Sequence, residues 1–152
     1  MLAAVIPALA WLLLPPHGPN ADMAGRIAEE VAANHLHLKP LEIETGSISD
    51  IRDYFTQLDF RPVESEMMML DALELVGGRY CSVQGVTATQ LRLRDAEEST
   101  SRTMYQVPYE PDRFGPLPQI EAGQYPLMLT ARGLDVAVWV EKGILFALVS
   151  EP

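Results

Sequence analysis

The 152-residue sequence holds a single cysteine, Cys81, which excludes an internal disulfide and any zinc site built on cysteine thiolates. Basic residues are scarce as well: 11 Lys and Arg stand against 21 Asp and Glu, a net charge of -10. The cations are scattered and mostly sit beside acids, so no basic stripe exists to offset repulsion by phosphates. Nucleic acid is therefore not an expected partner. Catalytic signatures are missing too. There is no Gly-x-Ser-x-Gly, and no Ser or Cys is recognisable beside a His and an acid. Gly77-Gly78-Arg79 is not a phosphate loop, because no Gly-x-x-x-x-Gly-Lys-Ser/Thr frames it and a strand follows. No enzyme and no cofactor is expected on these grounds, and no repeat or low-complexity segment shows.

One further absence is positional. Met1 to Ala21 contains no Lys, Arg, Asp or Glu, so every charged residue lies beyond it. Met1–Leu14 is a continuous apolar run ended by Pro15-Pro16. As a helix rising about 1.5 Å per residue it would reach roughly 21 Å, short of the ~30 Å hydrocarbon core. The run lacks the basic n-region of a signal peptide, and Pro15-Pro16-His17 is a poor cleavage site. Three readings stay open: the exported half of a span that starts upstream, an uncleaved anchor, or a buried helix. Trp11 near the polar end suits an interfacial anchor. The expectation is a membrane segment over 1–16 that meets lipid or an integral membrane protein.

What is present reads as one ordinary domain, with 48% apolar and 21% charged residues. Asn20 is an expected N-cap with Asp22 in the first turn. Met23, Ile27 and Val31 then recur at helical spacing, giving a helix of about 14 residues ending near Asn34. That helix either stands as a stalk over 17–37 or packs its narrow stripe on a sheet. Leu38–Glu44 reads as an edge strand. Ser47-Ile48-Ser49-Asp50 starts a second helix through Leu58, whose Ile51, Tyr54, Phe55 and Leu58 form one core face.

The second half changes period. Ala72–Val76, Arg79–Val83, Val86–Arg94, Thr103–Val107, Pro126–Ala131, Leu134–Glu141 and Ile144–Ser150 are short β-rich segments. Gly77-Gly78, Gln84-Gly85, Arg132-Gly133 and Lys142-Gly143 punctuate them as turns. Gln90, Arg92 and Arg94 alternate with Thr89, Leu91 and Leu93, the pattern of a sheet with one wet face. The fold class expected is α+β: an antiparallel sheet over 38–152, covered on one face by one or two helices.

Few residues offer chemistry. His35-Leu36-His37 would point both rings to one face if extended, with Glu42, Glu44 or Cys81 imaginable as a third metal ligand. The plainer reading has His35 bonding helix-terminal carbonyls and His37 at a strand edge, and no metal is assigned. Met67-Met68-Met69 offers soft thioethers, but consecutive residues do not converge, so packing is expected. Cys81 reads as a buried inert thiol. Between Val107 and Tyr125, four prolines make a long irregular loop. That loop is either a spacer or a partner-binding segment around Tyr109, Arg113 and Phe114, with Arg79 a further candidate contact. Arg79 would otherwise pair with an acid, and Trp139 would fill the core.

The order of motifs carries more. After His35 come Asp59-Phe60-Arg61-Pro62-Val63, Leu73-Glu74-Leu75-Val76-Gly77-Gly78-Arg79 and Val83-Gln84-Gly85-Val86-Thr87-Ala88-Thr89-Gln90-Leu91. Gly133-Leu134-Asp135-Val136-Ala137-Val138-Trp139 and Ile144-Leu145-Phe146-Ala147-Leu148-Val149 close the series. Over residues 30–150 this resembles the extracytoplasmic domain of single-span bacterial anti-sigma factors. The family's cytoplasmic sigma-clamping domain, often with a His-x-x-x-Cys-x-x-Cys zinc motif, has no counterpart here, and Arg92 replaces a usual Tyr. The resemblance implies a domain in the periplasm, tethered to the inner membrane, with a sensory or protein-binding role and no catalysis. The chain would be the exported half of a longer product or a stand-alone relative. The alternative expectation is a small accessory subunit of a larger inner-membrane complex.

Overall fold

The computed structural model describes residues 19–70 and 72–152. The expected anchor over 1–16 lies outside the described residues. Among those described, no helix is long and apolar enough to cross a membrane.

Helix α1 (Pro19–Leu36) runs two residues past the expected end, and Asn20 lies inside it rather than capping it. The stripe of Ile27 and Val31 is fully buried, with Ala24, Ala28 and Ala32 beside it. Those small side chains widen the face and let the helix lie close to the sheet. The helix therefore shares a core with the strands, which is the packing alternative rather than a separate stalk.

Strand β1 (Ile43–Glu44) is only two residues long, shorter than Leu38–Glu44. Helix α2 (Ile48–Tyr54) starts as expected: the Ser47 hydroxyl caps it by accepting from the Asp50 N–H at 3.4 Å. It ends before Leu58, however, and Tyr54 is 38% exposed instead of facing the core. Its hydroxyl donates to Glu42 Oε1 at 3.0 Å while its ring meets that of Phe55 nearly at right angles. A short helix α3 (Glu66–Leu70) follows an irregular segment.

The remaining strands are β2 (Leu73–Val83), β3 (Val86–Asp95), β4 (Ser101–Pro108), β5 (Leu127–Ala131), β6 (Leu134–Glu141) and β7 (Ile144–Ser150). They form one antiparallel sheet in the order β1-β2-β3-β4-β7-β6-β5. Three of the four expected turns hold. At Gln84-Gly85, Arg132-Gly133 and Lys142-Gly143 both residues have positive φ, the geometry of tight hairpins. Gly77-Gly78 is the exception, since it lies inside β2 and merges the two expected strands into one with a bulge between Leu75 and Gly77. Glycine is needed there because a Cβ at Gly77 would overlap the Ile43 carbonyl oxygen of β1.

Helices cover both faces of the sheet, not one. Against α1 lie Val83, Ala88, Tyr105, Val136, Ala147 and their neighbours. Against α2 and α3 lie Leu91, Leu93, Met104, Trp139, Phe146 and Leu148. Double coverage explains why the expected wet face of β3 is only partly wet. Gln90 is buried near α1, donating from Nε2 to the Tyr105 hydroxyl at 2.6 Å, and only Arg94 is exposed.

Candidate functional site

The expected partner-binding residues do not converge. Phe114 closes the short helix α4 (Pro111–Phe114) and is fully buried against the α1 side of the core, so it is unavailable to a partner. The Tyr109 hydroxyl donates to Gly115 O at 2.6 Å and folds the loop back on itself. Arg113 is exposed and paired with Glu110 at 3.3 Å. The loop is fastened rather than free: Val140 N–H donates to Pro118 O, and a 3-10 turn spans Ile120–Ala122. Arg79 lies on β2, on the sheet face opposite Tyr80. It donates to backbone carbonyls, Nε to Tyr80 O and Nη1 to Pro40 O, and among the described residues to no acid.

The two histidines part company because α1 continues through Leu36, so the segment is not extended at His35. The buried His35 ring places Nδ1 3.0 Å from Thr103 Oγ1, while the exposed His37 ring turns back to Ala33 O. Burial, with help from Arg92, holds the His35 pKa below its ordinary value against the opposing pull of Glu151. Among the described residues no group of three His, Cys, Asp or Glu is placed to hold a metal ion. Burial pushes the Cys81 thiol up to about 12, with Arg79 opposing, so it stays protonated at neutral pH. Met68 packs in the core as expected, whereas Met69 is 77% exposed.

The surface with most to offer a partner is the β5 end of the sheet. Among the described residues no strand pairs with the outer edge of β5. The tight Arg132-Gly133 turn makes Ala131 and Leu134 the closing pair, so Met128 and Thr130 turn their backbone groups outward. Leu127–Ala131 carries no charge and no internal proline, the features that usually protect an edge. Met128 is 64% exposed and Leu127 37%. On the same side as α3, a groove of about 170 Å³ is lined mainly by Met67, Pro126, Met128, Ala137, Trp139 and Leu148, with Arg102 and Ser150 as its polar members. Trp139 stacks on Phe146 at 5.3 Å, and its buried Nε1–H has no partner among the described residues. Leu70 on α3 and Tyr125 before β5 are also strongly exposed.

Sequence reasoning missed this site because it identified neither which strand ends the sheet nor which face stays bare. The available signal was the charge-free Leu127-Met128-Leu129 run behind Pro126. The acid Glu141, by contrast, is buried but used: it accepts from Ser65 Oγ and the Glu66 N–H at the start of α3. Comparison of the chain with protein-family models, with curated proteins and with solved structures finds no match.

Proposed function

We propose that this chain is a sensory, protein-binding domain of the bacterial envelope rather than a catalyst. It is held at the inner membrane through residues 1–16, with its α+β body in the periplasm, like the extracytoplasmic domain of anti-sigma factors. The observation that carries the binding half is the uncharged edge of β5, unpaired among the described residues, beside a largely apolar groove. An added strand would satisfy the outward amides of Met128 and Thr130, and its apolar side chains would enter the groove. The partner this fits is an extended protein segment whose alternate residues are apolar. The envelope half is supported by the charge-free leader and by the motif series from Gly77-Gly78-Arg79 to the Trp139 hairpin.

The test is site-specific photo-crosslinking from position 128 of the membrane-expressed chain, followed by identification of the product. One discrete envelope protein, lost when Thr130→Pro removes an outward amide, supports the reading. A product unaffected by that substitution, or native chain recovered soluble from the cytosol, overturns it. If the product is an integral membrane enzyme, the accessory-subunit alternative replaces the sensory one.

A further inference from the structure

At the opposite end of the sheet the edge of β2 is also largely bare, because β1 covers only Gly77 and Gly78. Beyond them, the backbone N–H groups of Tyr80, Ser82 and Gln84 point away from β3 by the two-residue period of the strand. Two of the three are taken by carboxylates. Tyr80 N–H donates to Glu42 Oε2 at 3.1 Å, and Gln84 N–H donates to Glu30 Oε2 at 2.8 Å. The Ser82 N–H between them has no protein partner among the described residues.

Ser82 lines a half-enclosed cavity of about 260 Å³, together with Glu30, Asn34, His37, Lys39 and Arg79. Two permanent cations and one carboxylate line it, and the Glu42 carboxylate sits on the next amide of the edge, so the local charge is balanced where the chain as a whole is strongly negative. Both carboxylates are already engaged: Glu30 Oε2 also accepts from Gln84 Nε2 at 2.6 Å, and Glu42 Oε1 accepts from the Tyr54 hydroxyl at 3.0 Å. Lys39 has no side-chain partner among the described residues, and Arg79 donates through Nε and Nη1, leaving Nη2 without one. Their placement is fixed by the sheet: Arg92 Nη2 donates to Lys39 O at 3.1 Å and Arg79 Nη1 to Pro40 O at 3.4 Å. The Cys81 thiol also lines the cavity and, being protonated, adds no negative charge.

We infer that this cavity at the open edge of β2 binds a small oxyanion. One oxygen accepts the Ser82 N–H as the carboxylates of Glu42 and Glu30 accept those on either side. The others meet Arg79 and Lys39 in charge-assisted hydrogen bonds. The volume lies below the roughly 300–1,000 Å³ typical of drug-sized ligands, which favours a small ion over a large metabolite.

The experiment titrates inorganic phosphate into the ¹⁵N-labelled full chain in detergent, at constant ionic strength set with sodium chloride. The expected result is a saturable shift of the Ser82 amide and the Arg79 Nε resonance. Arg79→Gln and Lys39→Gln should each weaken binding about tenfold, the equivalent of ~1.4 kcal/mol. Ser82→Pro, at an edge position whose N–H faces outward, should keep the fold and abolish binding. Ser82→Ala should bind as the parent does. Absence of a saturable Ser82 shift, or an affinity unchanged from the parent's in the Arg79→Gln and Lys39→Gln variants, overturns the proposal. Crosslinking at β5 does not read this edge, so either proposal can fail alone.

Discussion

Gln106 clasps the backbone of Val63 from both sides, accepting the Val63 N–H at Oε1 (3.0 Å) and donating from Nε2 to Val63 O (2.9 Å). Gln106 is fully buried on β4, so its amide acts as a surrogate strand for an irregular segment that has no ladder of its own. Arg52 Nε donating to Pro62 O at 2.7 Å holds the adjacent carbonyl. Gln106→Leu removes both bonds and should cost about 1–3 kcal/mol. Urea unfolding should show a lower midpoint, with faster amide exchange at Val63.

Two glycines should respond to alanine with opposite signs. Gly77→Ala drives a methyl into the Ile43 carbonyl and should cost about 1–3 kcal/mol, releasing the β1 pairing. Gly25, in α1, faces open space where a Cβ would stand, so Gly25→Ala should stabilise by about 0.5–1 kcal/mol. Thermal unfolding of the two variants reads both effects. Equal signs would contradict the packing described here.

How far the sequence discloses this fold depends on whether the relevant forces are local. The β6–β7 hairpin is legible to its end residues, because alternation in Leu134–Glu141 and the short apolar run Ile144–Ser150 flank Lys142-Gly143 turn chemistry. Ser47 announces its helix for the same reason. Gly77-Gly78 misleads because its requirement is a close approach by β1, a partner more than thirty positions earlier in the chain. Tyr54 and Phe114 mislead through context as well: one finds Glu42 outside the core, and the other fills a space under α1. The two edge surfaces are illegible for a deeper reason. Strand order decides which backbone amides lack a neighbour, and side-chain periodicity carries no record of that order.

His35 should make stability depend on mildly acidic pH. Its folded pKa lies below the ordinary 6.5, so as pH falls through 6.5 the unfolded chain takes a proton before the folded one does. The His35 contribution is therefore complete above 6.5 and declines below it, until the folded state also protonates. The groups that bear on the ring are Thr103 at 3.0 Å, Arg92 and Glu151. Unfolding free energies measured at closely spaced pH values should show the slope. His35→Gln should remove that component while leaving the acid limb due to carboxylates.

The edge of β5 offers the sharpest separation between stability and binding. Thr130 N–H faces away from β6, so proline there removes no hydrogen bond from the sheet and is tolerated at an edge. Met128→Lys places a charge where an incoming strand must bury apolar side chains, the means by which many proteins shield such edges. Both variants should unfold within about 1 kcal/mol of the parent, since neither disturbs a buried contact. Both should lose the crosslinked partner. Ala131→Pro is the matching control, because Ala131 pairs with Leu134 on the inner side and is buried. It should unravel the β5–β6 hairpin as well as abolish binding. If Thr130→Pro were to retain the partner while Met128→Lys lost it, docking would run through the groove alone, without strand addition.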